Sequence, residues 1–335
     1  MLMTIALGAV LVAAGGGEAE PTTVRGEIVF EPRRAEANVP EPFRLEAARF
    51  AYVMDRVETT PRYDVWSVRF PSPIVTPDPE NNTVHANYFR PNVTGKRPAV
   101  IVLHILGADF ALARYLAARL ADQGVAALFV QLPYYGDRRP ADGQKRFLSA
   151  DMERSMRSMR QAIQDVRRAA GWLAHQSEVR PDQIGITGIS LGGIISALAA
   201  SVGPEFVSAA PLLAGGGLAD ILWNLPEPEA RKYKQLWIES GRTFADLEDL
   251  TRPFDPLTYA DRLRGKRVLM IAGSVDEVVP PRATRALWER AGQPPIVWYE
   301  CGHYSAVGYL LPAVRRTVAF FAERPPSLEP AQPSQ

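Results

Sequence analysis

The chain has 335 residues, of which 47% are hydrophobic and 22% charged, the balance of an ordinary soluble protein. This composition excludes a disordered chain, a collagen-like fibre and a multi-span membrane protein. With 38 basic and 37 acidic residues the formal net charge is +1, so nothing predicts nucleic acid or an anionic membrane as a partner. Cys301 is the single cysteine, which excludes an intrachain disulfide and a thiolate metal cluster within one chain.

The two ends of the chain differ from its middle. Residues 5–14 form an apolar run followed by small residues, too short for a bilayer, which needs about 20 apolar residues. We expect residues 1–20 to be a secretory signal peptide and the protein to be exported, to the periplasm or beyond, although residues 1–4 lack Lys and Arg. Without a signal peptide it would be cytoplasmic, and in either case no stable membrane anchor is predicted. The Pro-rich tail, 324–335, is expected to be disordered.

The region before residue 98 is predicted to be rich in β-structure. Residues 21–61 are assigned to an N-terminal extension. Strands are predicted over Arg62–Phe70 and Thr83–Arg90, and these could be leading antiparallel strands of the main sheet.

From Pro98 onward, apolar runs alternate with helical patterns, which indicates βαβ units. The fold class is therefore α/β, with a mostly parallel central sheet and helices on both faces. The predicted strands are Ala99–His104, Val125–Leu132, Gln183–Gly188, Phe206–Leu213, Val268–Ala272 and Ile296–Glu300, and the predicted helices lie near Ala111–Asp122, Ala150–Gln176, Leu191–Ser201, Arg282–Ala291 and Leu310–Ala322.

Residues 215–265 interrupt this alternation with three predicted short helices, Leu218–Leu225, Glu229–Glu239 and Phe244–Leu250. A connection of that length between core strands is typically a lid or a cap. We therefore predict a small helical cap inserted into a single domain over residues 62–323.

The strongest local motif is Gly188-Ile189-Ser190-Leu191-Gly192, which lies between a predicted strand and a predicted helix. A serine exposed on a sharp strand-to-helix turn has a strained backbone, and glycines two positions away avoid clashes. The N-terminus of the following helix favours developing negative charge. Ser190 is the candidate nucleophile, and the alternative is a purely structural turn.

A serine nucleophile needs a base and an acid that orients it. Of four histidines, only His303 follows Ser190, in a loop between the last strand and the last helix. Asp276 follows the strand Val268–Ala272 and is the candidate acid, with Glu277 as its competitor. The order Ser190, Asp276, His303 is the order of one particular fold.

With the motifs GISLGG, AGSVDEVVP and CGHYS in this order, the chain resembles the α/β-hydrolases over about residues 62–323. It is closer to the dienelactone-hydrolase and acyl-esterase branches than to the lipases, although dienelactone hydrolases use cysteine where this chain has Ser190. The resemblance implies an oxyanion hole formed by two backbone amides. One is that of Leu191, and the other lies in the loop that follows the predicted strand Ala99–His104, where either Ile105 or Leu106 could donate. It implies no metal and no organic cofactor.

Four aromatic residues are candidates for binding substrate. Tyr134 and Tyr135 begin a loop that ends in Arg138-Arg139, which could equally be packing with a solvated charge pair. Trp223 and Trp237 lie in the insertion and could line an acyl pocket or form the core of the cap.

Together these features predict a serine esterase that acts on a small-molecule carboxylic ester through an acyl-enzyme intermediate. A peptidase or amidase of the same fold is the first alternative, because the same chemistry cleaves amides. A non-catalytic binding protein on this scaffold is the second. The acyl group, the alcohol and the oligomeric state stay open.

Overall fold

A computed structural model describes residues 22–323 except 33, 108–109, 142 and 144. The predicted signal peptide and the predicted disordered tail lie outside the described residues.

The described residues form one eleven-stranded mixed sheet, in the order β1-β2-β3-β4-β6-β5-β7-β8-β10-β11, with the short β9 pairing beside β8. Pairing is antiparallel from β1 through β4 to β6 and parallel across the rest. The strands are β1 Thr23–Phe30, β2 Ala48–Thr59, β3 Tyr63–Pro71, β4 Thr83–Pro91, β5 Arg97–Leu103, β6 Ala126–Val130, β7 Val179–Ile189, β8 Ser208–Leu212, β9 Arg267–Val268, β10 Met270–Gly273 and β11 Ile296–Tyr299.

The helices of the described residues follow the predicted alternation closely, and several boundaries agree within two residues. They are α1 Ala111–Asp122, α2 Met152–Ala174, α3 Leu191–Val202, α4 Leu218–Trp223, α5 Pro228–Glu239, α6 Phe244–Thr251, α7 Pro256–Tyr259, α8 Pro281–Arg290 and α9 Leu310–Ala322. In the part of the chain that the structure describes, none of them has the length and apolarity to cross a bilayer.

The sheet is covered on both faces, as predicted. On β5, Ile101 and Leu103 belong to the core on the side of α2, α3 and α8, whereas Val100 and Val102 belong to the core on the side of α1 and α9. Because successive side chains of a strand point to opposite faces, a strand buried on both faces reads as a continuous apolar run. This explains why β5 could be recognised from its sequence.

Residues 21–61 contribute more to the sheet than the assignment to an extension implied. β1 and β2 pair antiparallel beside β3, and the segment between them is tied to α2. The buried guanidinium of Arg167 bonds to Glu36 at 2.6 Å and to Glu205 at 2.7 Å. This stretch therefore extends the central sheet.

The predicted insertion connects β8 to β9 and contains α4, α5 and α6. Its two ends are joined by the buried carboxylate of Asp255, which accepts hydrogen bonds from the amides of Gly217 (3.1 Å) and Leu218 (2.6 Å). The same carboxylate accepts from the Leu257 amide at 2.8 Å. One side chain thus fixes the base of the insertion.

A second buried carboxylate organises the loop after β6. Asp165 of α2 is 1% exposed and pairs with the fully buried Arg138 at 2.7 Å. Arg138 also donates to the carbonyls of Gln131 (3.0 Å) and Asn81 (2.9 Å). The expected solvated charge pair in this loop is therefore wrong for Arg138, which is fully buried and pairs with a buried carboxylate of α2.

Replacing Arg138 by Met should lower the free energy of unfolding by about 3–5 kcal/mol, because it leaves the Asp165 carboxylate buried without its counter-ion. Denaturant titration measures this. Arg252→Met is the matched control, since Arg252 and Asp249 form an exposed pair that should contribute less than about 1 kcal/mol. Equal effects in the two variants would contradict a structural role for the buried pair.

Candidate active site

Ser190 lies at the turn between β7 and α3 with φ 56° and ψ −118°. A positive φ is unfavourable for a residue with a side chain, so the surrounding structure must hold this conformation. The Ser190 amide donates to the Leu212 carbonyl of β8 at 2.9 Å. The turn projects the serine side chain above the carboxyl ends of the parallel strands.

The glycines around Ser190 are required by close backbone approach. A Cβ at Gly188 would lie 2.5 Å from the carbonyl of Gly192. A Cβ at Gly192 would lie 2.6 Å from the His104 carbonyl oxygen and 2.8 Å from that of Leu103. The start of α3 therefore packs directly against the end of β5.

Ser190, His303 and Asp276 come together in the structure. Ser190 Oγ lies 2.8 Å from His303 Nε2, and His303 Nδ1 lies 2.8 Å from Asp276 Oδ2. A carboxylate can only accept, so the His303 tautomer that fits has its proton on Nδ1 and leaves Nε2 free to accept from the serine. Asp276 is 5% exposed.

The two acidic neighbours in this loop have different partners. Asp276 Oδ1 accepts from the amides of Val278 (2.9 Å) and Val279 (2.7 Å), which leaves Oδ2 for the His303 ring. Glu277 is exposed but accepts from the His303 amide at 2.9 Å. The two side chains thus hold the ring and the backbone of His303 respectively, and sequence reasoning missed the second contact.

In the loop after β5, both ring nitrogens of His104 are hydrogen-bonded to the backbone. His104 Nδ1 donates to the Ile105 carbonyl at 2.7 Å, and His104 Nε2 accepts from the Leu132 amide at 3.1 Å. Burial lowers the pKa of His104 to about 4, so the ring is neutral near pH 7. Leu106 is 49% exposed.

Planar trans peptide units decide where these amides point, because the carbonyl and the N–H of one unit face opposite directions. The His104 carbonyl oxygen lies against Gly192, so the N–H of Ile105 faces away from the start of α3. The Ile105 carbonyl is bound by the His104 ring, so the N–H of Leu106 faces away from that buried ring. Of the two amides left open by the sequence, the one at Ile105 is therefore turned away from the start of α3.

The predicted substrate-binding aromatics lie in two places. The Tyr134 hydroxyl donates to Asp78 Oδ2 at 3.2 Å, and the Tyr135 ring packs edge-on against His104 with centroids 4.7 Å apart. Trp237 is buried inside the insertion, where its indole N–H donates to the Thr243 carbonyl at 2.8 Å. Trp223 packs against Phe244 in the same cluster. Both tryptophans thus pack inside the insertion, which was the alternative to lining an acyl pocket. A contact of either tryptophan with substrate stays a prediction.

The insertion touches the loop that carries His303. The Tyr304 hydroxyl donates to Glu227 Oε1, at the start of α5, and the Tyr304 ring is edge-on to the His303 ring at 5.8 Å. Together with burial and the nearby carboxylates, this hydrogen bond raises the pKa of Tyr304 to about 12. Among the described residues, no group of three or more His, Cys, Asp or Glu side chains could hold a metal ion.

Gly192→Ala should lower the free energy of unfolding by about 1–3 kcal/mol, because the added methyl group meets two backbone oxygens that cannot retreat without disturbing β5. Denaturant unfolding measures the loss. Gly308→Ala is the control, since a Cβ there meets nothing within 4 Å and the change should stay within about 0.5 kcal/mol. If both variants were equally stable, the close approach of α3 would not constrain the fold.

Comparison with known proteins gives two family matches. The model of the family described as "Alpha/beta hydrolase domain containing 18" matches residues 31–217, more than half of the chain. The model of the prolyl oligopeptidase family matches residues 154–292.

An uncharacterized protein of Mycobacterium tuberculosis (strain ATCC 25618 / H37Rv) is 31% identical over 216 residues, covering 62% of this chain and 50% of that protein. The chain thus spans about half the length of the curated relatives it matches.

Solved structures share the fold. The acetyl xylan esterase from Paenibacillus sp. R4 superposes with a TM-score of 0.66 at 18% identity, over 80% of this chain and 88% of that one. The acylaminoacyl peptidase of Pyrococcus horikoshii superposes with a TM-score of 0.62 at 17% identity, over 85% of this chain and 49% of that one. The strand order, the serine turn and the first family match lead to one assignment: this chain is an α/β-hydrolase and belongs to the family described as alpha/beta hydrolase domain containing 18.

Proposed function

We propose that the chain is a serine hydrolase that cleaves small-molecule carboxylic esters. The observation that carries this proposal is the chain of two 2.8 Å contacts from Ser190 Oγ through the His303 ring to Asp276. A serine hydroxyl is a weak nucleophile, and a base within hydrogen-bond reach that is itself oriented by a carboxylate is the arrangement that activates it.

The steps follow from this geometry. Ser190 Oγ attacks the ester carbonyl while its proton passes to His303 Nε2, and Asp276 stabilises the imidazolium that forms. His303 then gives that proton to the departing alcohol, which leaves an acyl group on Ser190. A water molecule, deprotonated by His303, attacks the acyl-enzyme and releases the carboxylic acid and the free serine.

The negative charge on the carbonyl oxygen needs donors fixed in advance. We assign one to the amide of Leu191, the first residue of α3, where the helix dipole adds favourable potential. We assign the other to the amide of Leu106 and not to that of Ile105. The His104 carbonyl lies against Gly192, so the Ile105 N–H of the same peptide unit faces away from the start of α3.

A peptidase or amidase is the second candidate. The match of the prolyl oligopeptidase model to residues 154–292, which include Ser190 and Asp276 but not His303, favours it. We prefer the ester because an alkoxide leaves more readily than an amine, so ester cleavage demands less of the same three residues.

The contact between Glu227 of the insertion and Tyr304, next to His303, supports the further proposal that the insertion borders the substrate.

The test combines labelling with a choice of substrates. A fluorophosphonate should label the protein at Ser190, and nitrophenyl esters should give a burst of nitrophenol followed by steady turnover, while peptide and aminoacyl amide substrates are cleaved far more slowly. Ser190→Ala should abolish both label and burst without changing the thermal midpoint. Labelling at another serine would overturn the assignment, faster cleavage of the amides would favour the peptidase, and no reaction at all would favour a binding protein.

The roles of the two acidic neighbours can be separated by kinetics at neutral pH. Asp276→Asn should lower kcat by up to about 10⁴, because an amide in place of the carboxylate favours the wrong His303 tautomer. Glu277→Gln should cost less than about tenfold, since a glutamine oxygen can still accept from the His303 amide. The reverse ranking of kcat values would show that the acid is Glu277.

A further inference from the structure

Leu106 is held between two fixed peptide units. On one side, the His104 ring binds the Ile105 carbonyl at 2.7 Å, which sets the plane of the unit that contains the Leu106 amide. On the other side, burial raises the pKa of Tyr135 and the Gly107 amide lowers it in part, which places that amide beside the Tyr135 hydroxyl. The planes before and after a residue determine its φ and ψ, so these two contacts together orient the Leu106 N–H.

Among the described residues of this loop, Leu106 and Gly107 have few other restraints. Gly107 has φ 125°, and a Cβ there would meet nothing within 4 Å, so neither sterics nor packing fix its backbone. Leu106 is half-exposed. Without outside contacts, this stretch would sample many backbone conformations.

His104 and Tyr135 are themselves rigid. The His104 ring is 1% exposed and is anchored at its second nitrogen by the Leu132 amide. Tyr135 lies between the His104 ring at 4.7 Å and the stacked, fully buried ring of Phe147 at 6.2 Å. The Tyr135 carbonyl accepts from the amide of Arg138 at 3.0 Å, the residue whose side chain is locked to Asp165.

We propose that His104 and Tyr135 are positioning residues that hold the Leu106 amide at the place where the oxyanion forms. This inference rests on the proposed function, because it gives a purpose to the amide only if a tetrahedral intermediate forms at Ser190. It assigns the Tyr135 side chain to support of this loop, which is the packing alternative that stood beside a substrate contact.

The experiment uses His104→Gln and Tyr135→Phe, each with a matched control. His175→Gln removes another histidine whose Nδ1 bonds a backbone carbonyl, that of Gly171 at 2.8 Å. Tyr88→Phe removes another buried tyrosine hydroxyl, bonded to Glu178 at 2.8 Å before the start of β7. Fluorophosphonate titration first counts active sites at Ser190, so that kcat is expressed per competent site. A wild-type chain without label at Ser190 would refute the proposed function before the positioning role is tested.

Misplacing a donor should cost less than deleting one, which lowers kcat by about 10²–10³. We expect kcat per titrated site to fall at least tenfold in His104→Gln and about three- to tenfold in Tyr135→Phe, with KM within about twofold. Affinity for a trifluoromethyl ketone, which adds to Ser190 Oγ and places an oxyanion in the same hole, should fall by similar factors.

A merely structural role would reduce the number of titrated sites and leave kcat per site and ketone affinity at the values of the controls. That result in both variants would overturn the proposal. If His104→Gln fails to fold, Tyr135→Phe, which keeps the ring, decides the outcome by the same two measurements.

Discussion

The position of Ser190 depends on one steric constraint, the close approach of the start of α3 to the ends of β5 and β8. Gly192 lies against the carbonyls of Leu103 and His104, and Gly193 lies against that of Leu212. These are contacts of backbone with backbone, so the serine turn and the loop after β5 are held in register independently of most side chains. The strained φ of Ser190 is tolerated because the fold determines its surroundings on every side.

The loop after β6 is held in place by a buried ion pair. Asp165 and Arg138 are both removed from water, and a buried ion pair is weak evidence for stability because desolvation offsets the attraction. Its effect here is geometric. Asp165 in α2 pairs with Arg138. The Arg138 amide donates to the Tyr135 carbonyl in the same loop, and the Tyr135 ring packs against the ring of His104. The buried carboxylate of Asp165 on α2 thus holds the loop that precedes this helix in the chain.

The parts that the sequence predicted are those with local patterns. Strands such as β5 contain a continuous apolar run because they are buried on both faces, and the glycines around Ser190 mark a turn that few residues allow. β1 and β2 were not delimited, because at the edge of the sheet their apolar residues alternate with charged ones. Arg138 was misread because its partner Asp165 is 27 residues away. The hydrogen bond of Glu277 comes from a backbone amide, which has no residue-specific pattern.

The insertion contacts the core at several places but lies outside the chain of contacts between Ser190, His303 and Asp276. Asp255 fixes its base, and Glu227 reaches the loop of His303 through the exposed side chain of Tyr304. None of the hydrogen bonds that link Ser190, His303 and Asp276 passes through α4, α5 or α6. Changes within α4, α5 or α6 can therefore leave these contacts between the three side chains unaltered.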